Sequence, residues 1–209
     1  MKPGRATRRM QRDRKSLVVG GSLVAALLLL ASGYLWLIGA GRGVPSRRAA
    51  IGGPFELVQG DGQTVTGRSF RGKYLLIYFG YTSCQDVCPT TLASLVAALD
   101  ALGGSAARVQ PLFITVDPER DTPPVMLRYV RSFTPRLIGL TGSPGEIRKV
   151  AGEYRITSVI HHAGSDPARY AVDHSSVLYL VGPDGRYITP IRADDSATVM
   201  AKAIARYLS

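Results

Sequence analysis

From Ser16 to Ala40 the chain carries 25 consecutive residues without a charge, rich in Leu, Val, Ala and Gly, and this run divides everything else. At about 1.5 Å of rise per residue, a helix of that length spans a hydrocarbon core of roughly 30 Å. Tyr34 and Trp36, toward its far end, suit a membrane interface. The run is predicted to be a single transmembrane helix. A cleaved signal peptide would have a shorter apolar region, of about 7–15 residues. The Arg8-Arg9 pair matches a twin-arginine signal only loosely, and no lipobox cysteine is present.

Seven basic residues precede the run (Lys2, Arg5, Arg8, Arg9, Arg12, Arg14, Lys15) and three follow it closely (Arg42, Arg47, Arg48). That asymmetry predicts a cytoplasmic N-terminus, with everything beyond Ala40 across the membrane. The chain then divides into a basic cytoplasmic N-terminus (1–15), the anchor (16–40), a Gly- and Arg-rich linker (41–53) and one domain (54–209). The net charge of +11 follows the same division. Residues 1–15 carry +6, whereas residues 49–209, with 16 basic and 14 acidic residues, carry +2. The basicity is therefore a topology signal and an attraction to anionic lipid. No basic stripe interleaved with aromatics argues for a nucleic-acid partner.

Both cysteines, Cys84 and Cys88, lie in Y-F-G-Y-T-S-C-Q-D-V-C-P. An apolar strand-like run, Tyr74 to Tyr78, precedes them, and a helix-like run, Thr90 to Leu102, follows. Backbone N–H groups at a helix start favour negative charge, so thiolates are expected to form readily there. A structural disulfide between residues four apart would close a very small loop and remove little unfolded-state entropy. Close pairs of this kind more often serve redox chemistry or metal binding, and the residues themselves leave both open.

The domain reads in order as a hairpin (Phe55 to Val58 and Thr64 to Thr66 about Gly60-Asp61-Gly62), the strand Y-L-L-I-Y-F, and the cysteine loop with its helix. A strand from Val109 to Val116, a helix from Pro124 to Phe133, a short strand from Leu137 to Leu140 and a helix from Ser143 to Tyr154 follow. Ser143 is a plausible N-cap. Val177 to Val181 and Tyr187 to Ile191 flank G-P-D-G as a second hairpin, and Asp195 to Leu208 is a closing helix. Strands alternating with helices imply a mainly parallel sheet, which the closing hairpin makes mixed. A reactive pair at the first strand-helix junction of such a sheet is the thioredoxin-type arrangement.

Two thiolates four apart can face one point, and a third soft or borderline ligand would complete a trigonal copper site. The three histidines are His161, His162 and His174. His174 stands in D-H-S-S just before a buried strand, where a loop residue is held at a sheet end. His161 and His162 sit in H-H-A-G-S-D-P, which reads as an exposed polar loop. Met126, on a predicted helix, reads as core rather than as a copper thioether. There is no H-E-x-x-H, no G-x-S-x-G and no paired-carboxylate motif, and Gly39 to Gly43 is no phosphate loop, since it follows no strand.

Three blocks, F-G-Y-T-S-C-Q-D-V-C-P-T-T-L, F-I-T-V-D-P-E-R-D-T-P and Y-A-V-D-H-S-S-V-L-Y-L-V-G-P-D-G, closely resemble the Sco (SenC) family of membrane-anchored copper chaperones, which assist cytochrome c oxidase assembly. The blocks occur in the family's order and, with the anchor, extend the resemblance over nearly the whole chain. It implies an α/β, thioredoxin-like fold with a mixed central sheet and flanking helices, preceded by a single N-terminal transmembrane helix. It also implies one copper ion held by Cys84, Cys88 and His174, with Asp117 as a supporting residue near the metal. The implied setting is an inner membrane, with the domain on the periplasmic or intermembrane-space side. The implied partners are the copper-bearing subunit of the oxidase and, further afield, other copper chaperones or thioredoxin-like reductases. One departure is Gln85, where the family usually has Pro; Gln restores a backbone N–H and loosens the loop without removing a ligand.

Three uses of the thiols compete. The first is a metallochaperone for Cu(I), with Cu(II) as a further state; zinc would prefer a fourth ligand that the sequence does not obviously offer. The second is a thiol-disulfide oxidoreductase acting on exported cysteine pairs without stable metal binding. The third, peroxide chemistry, needs a cation beside the thiolate, and no Arg or Lys lies between Lys73 and Arg108. Asp117 and Asp121, in their Pro-bounded loop, could equally make Asx turns and caps.

Overall fold

The computed structural model describes residues 28–34, 51–156, 158–162, 170–174 and 177–208, with the backbone alone for 158–162 and 170–174. Residues 28–34 are helical, and the rest of the expected anchor lies outside the described residues. Among the described residues no helix is long and apolar enough to cross a membrane. The chain forms two compact units, Met1–Arg48 and Ala49–Ser209.

The second unit is built on strands β1 (Glu56–Gln59), β2 (Thr64–Thr66), β3 (Tyr74–Gly80), β4 (Val109–Thr115), β5 (Ile138–Thr141), β8 (Val177–Val181) and β9 (Tyr187–Arg192). They form one sheet in the order β2-β1-β5-β4-β3-β8-β9. β3, β4 and β5 run parallel, β8 pairs antiparallel with β3, and β9 pairs antiparallel with β8 at the edge. Two further strands, β6 (Ser158–His162) and β7 (Tyr170–His174), pair with each other as a separate antiparallel ribbon. The helices are α1 (Val87–Ala101), α2 (Pro123–Arg131), α3 (Pro144–Glu153) and α4 (Ala197–Leu208).

β3 is buried on both faces, which is why its sequence is a continuous apolar run rather than an alternation. Leu76 and Tyr78 face one core with α1, α2 and α4, through Leu92, Leu95, Met126, Val130, Met200 and Ile204. Leu75, Ile77 and Phe79 face the other, with Ile147 and Val150 of α3 and Leu57 of the first hairpin. Met126 is fully buried. At the start of α3, Glu146 N–H donates to Ser143 Oγ at 3.3 Å and Ser143 N–H donates to Glu146 Oε2 at 2.7 Å, a reciprocal cap.

Two differences from the sequence reading have local causes. α1 begins at Val87, not near Thr90, with Asp86 as N-cap. Pro89 therefore sits inside the first turn, where its missing N–H forfeits no helical bond. This brings Cys88 into the helix. The H-H-A-G-S-D-P stretch is not all loop: His161 and His162 close β6, opposite Ala171 and Tyr170.

Leu95, fully buried on α1 between the sheet and α4, reports on this packing. Leu95→Ala is expected to lower unfolding free energy by about 2–5 kcal/mol. Urea unfolding followed by circular dichroism measures it, and a loss below about 1 kcal/mol would contradict the burial.

Candidate metal centre

β3 ends at Gly80, and the chain then crosses a short loop into α1. Cys84 lies in that loop, half-buried, whereas Cys88 lies in the first turn of the helix at 0% exposure. The two are not joined in a disulfide. The Cys88 N–H donates to Cys84 Sγ at 3.3 Å, and the Cys84 N–H donates to Tyr81 O at 3.3 Å. The helix start thus directs a donor at the first sulfur and seats the second beneath it.

The seat is made by a missing side chain. A Cβ on Gly80 would stand 2.9 Å from Cys88 Sγ and 2.7 Å from Phe113 Cε2, closer than packed atoms tolerate. The Tyr78 hydroxyl donates to Cys88 Sγ at 3.9 Å. Burial pushes the Cys88 thiol from an ordinary 9.0 up to about 12, with a backbone hydrogen bond at Tyr81 pulling the other way. Ready thiolate formation, expected of the helix start, therefore fails at Cys88: loss of solvent outweighs the helix field. Burial likewise raises the hydroxyls of Tyr78 and Tyr129, and the nearby thiols add to both shifts.

His174 is the last residue of β7, its backbone opposite Ser158. Three residues later β8 enters the main sheet beside β3, with Leu178 opposite Tyr78. The histidine's backbone therefore precedes the sheet at the end where the cysteine loop leaves it. Its side chain lies outside the described residues, as do those of His161 and His162. Among the described residues no group of three or more His, Cys, Asp or Glu side chains gathers as a metal site.

The D-P-E-R-D-T-P loop packs against the base of the cysteine loop. Asp117, 4% exposed, is paired with Arg120, whose guanidinium also lies 5.8 Å from the centre of the Tyr81 ring. Asp121, 0% exposed, accepts from Thr82 N–H at 3.0 Å, Thr82 Oγ1 at 2.5 Å and Thr115 Oγ1 at 2.6 Å. Burial pushes its carboxyl above the usual range, against the pull of these hydrogen bonds. Thr115 pairs with Gly80 in the sheet register, so both loops are tied to one sheet end. Gly80, Thr82 and Asp121 were not among the residues singled out as a site. The glycine after the apolar run of β3 was the available signal for the first.

Two sulfurs of unequal exposure at a strand-helix junction suit a soft metal, and the space above Gly80 is what keeps the second sulfur in reach. The family model described as SCO1/SenC matches residues 44–209. The chain is 37% identical over 182 residues to the SCO2-like protein of Rickettsia prowazekii, covering 87% of this chain and 88% of that one. It is 46% identical over 147 residues to the Arabidopsis thaliana mitochondrial SCO1 homolog 1, covering 70% of this chain but 43% of that longer protein. The structure of Bradyrhizobium japonicum ScoI with copper bound aligns at a TM-score of 0.69 and 44% identity, over 76% of this chain and 99% of that one. The fold is a thioredoxin-like domain carrying a thiol pair at its first strand-helix junction. The chain belongs to the SCO1/SenC family.

Two outcomes are expected of the reduced, metal-free protein. Gly80→Ala forces Cys88 or Phe113 to move and is expected to cost about 1–3 kcal/mol, with Cys88 becoming reactive to iodoacetamide under native conditions. Native-like stability with an inert Cys88 would contradict the packing. For pH, the folded state keeps the Cys88 proton where the unfolded state has lost it. The stabilising contribution is thus complete below pH 9.0 and is lost as pH rises toward about 12. In urea titrations the gap between wild type and Cys88→Ala should narrow across that window, and a gap independent of pH would contradict the buried neutral thiol.

Proposed function

We propose that the chain is a membrane-anchored copper metallochaperone that holds copper as cargo on Cys84, Cys88 and His174. It delivers the ion to, or prepares the thiols of, the binuclear copper site of cytochrome c oxidase. The observation that carries this reading is the cysteine pair, not joined in a disulfide, at the sheet end where β8 enters, three residues beyond His174. The copper-bound ScoI relative supports the choice of metal.

Thiolates and an imidazole suit Cu(I), and a three-ligand set leaves one side open for a recipient's ligands. Cys84, half-buried in the loop, is the point of entry and exit. Cys88 is held by the core and gives up its proton on binding, so uptake releases protons. A bound copper ion supplies the positive charge that lets the buried sulfur remain ionised. The uncharged run Ser16 to Ala40 and the basic residues before it support an inner-membrane anchor, with the domain on the periplasmic or intermembrane-space side. Asp117, bound to Arg120 beside Tyr81, supports the loop below the metal.

Thiol-disulfide exchange is a second use of the same pair. Cys84 thiolate attacks a partner disulfide and releases one partner thiolate; Cys88 thiolate then attacks Cys84 sulfur and releases the other. The partner pair is reduced and Cys84–Cys88 oxidised. Burial of the Cys88 proton opposes the second step, which favours metal retention as the main role.

Titrating the reduced full-length chain with copper, with Cu(II)-thiolate charge-transfer absorption as readout, is expected to give one ion per chain. Cys84→Ser, Cys88→Ser and His174→Ala should each abolish tight binding. Full-affinity binding by His174→Ala would overturn the three-ligand set. External protease should remove the domain from sealed spheroplasts while residues 1–15 stay protected; the reverse pattern would overturn the topology.

A further inference from the structure

Asp121 is a buried carboxylate for which the copper set has no use. Its carboxylate partners among the described residues are all neutral: the Thr82 amide, the Thr82 hydroxyl and the Thr115 hydroxyl. Burying a carboxyl is costly, and hydrogen bonds are what make it tolerable. What a carboxylate offers that a single hydroxyl cannot is two acceptor oxygens on one rigid group. Here Oδ1 takes the Thr82 hydroxyl, and Oδ2 takes both the Thr82 amide and the Thr115 hydroxyl.

Thr82 stands two residues before Cys84, and Thr115 ends β4 opposite Gly80. The bonds therefore close a ring from Gly80 through Tyr81, Thr82 and Asp121 to Thr115 and back. The two thiols depend on this ring unequally. Cys88 is set by α1 and its core contacts. Cys84 lies in the loop, where its N–H bonds to Tyr81 O and its sulfur accepts from Cys88 N–H.

We propose that Asp121 is a positioning residue for Cys84: by holding Thr82 at both its amide and its hydroxyl, it clamps the cysteine loop to the end of β4 and presets the first sulfur at ligand distance from the second. The inference rests on the copper reading above. Its effect is carried by acceptor geometry rather than by charge.

The test uses the reduced full-length chain with Asp121→Ala, Asp121→Asn and Thr82→Val. Asn keeps the shape: its carbonyl oxygen takes the place of Oδ2, and its amide donates to a Thr82 hydroxyl turned to accept. Asp121→Ala is expected to weaken copper binding by about 10- to 100-fold, the usual cost of losing a group that orients a ligand. Thr82→Val should shift affinity in the same direction by a smaller factor, and Asp121→Asn should bind like wild type. In the metal-free protein, Cys84 should react faster with iodoacetamide in Asp121→Ala and Thr82→Val, while Cys88 stays inert in both. If Asp121→Ala does not fold, the other two variants decide.

Wild-type alkylation rates and copper affinity in Thr82→Val would overturn the clamp, as would an Asp121→Asn variant as impaired as Thr82→Val or worse, which would point to charge. The alkylation arm needs no copper. A wild-type chain that fails to bind copper would therefore overturn the copper reading, while the Cys84 rates still decide the clamp.

Discussion

Close packing between Cys88 and the bare backbone of Gly80 sets the geometry on which the rest of the site depends. Because no side chain stands at Gly80, α1 can begin almost on top of the end of β3, and the second thiol sinks into the core. The helix then starts at the turn that carries this thiol, with Pro89 inside its first turn, leaving Cys84 in the loop above it. The result is one fixed sulfur and one accessible sulfur. A pair with equal exposure would make a more symmetrical redox couple and a less directional metal carrier.

The unequal burial also separates two roles that the same residues could serve. A soft cation stabilises a buried thiolate directly, so a thiol pushed up to about 12 when free is compatible with tight loading. Disulfide exchange has no such counter-charge and must ionise the buried sulfur by itself. The environment of Cys88 thus opposes rapid exchange, and Tyr78 and Phe113 take part in that environment as directly as the cysteine itself.

Much of the domain was legible because strong local patterns coincide with the fold. The continuous apolar runs of β3 and β4, the G-D-G and G-P-D-G turns, and the Ser143 cap each mark an element that the structure contains. The cysteine pair stood out as the first strand-helix junction of a mixed sheet. The β6–β7 ribbon was missed because H-H-A-G-S-D-P has the composition of a loop. The burial of Asp121 was not legible either: its partner Thr82 is 39 residues away, and an Asp in a Pro-bounded loop reads as an ordinary turn residue. The Cys88 shift was missed for a related reason, since a helix start is visible in sequence and the depth of the seat beneath it is not.

β3 lies inside the sheet, with β4 on one side and β8 on the other, while β2 and β9 form the edges. Proteins open locally from their less protected parts, and central strands exchange their amide hydrogens last. The buried sulfur is therefore fastened to the part of the domain that should survive longest under partial unfolding. The edges can breathe without loosening the end of the strand on which the thiol pair is built.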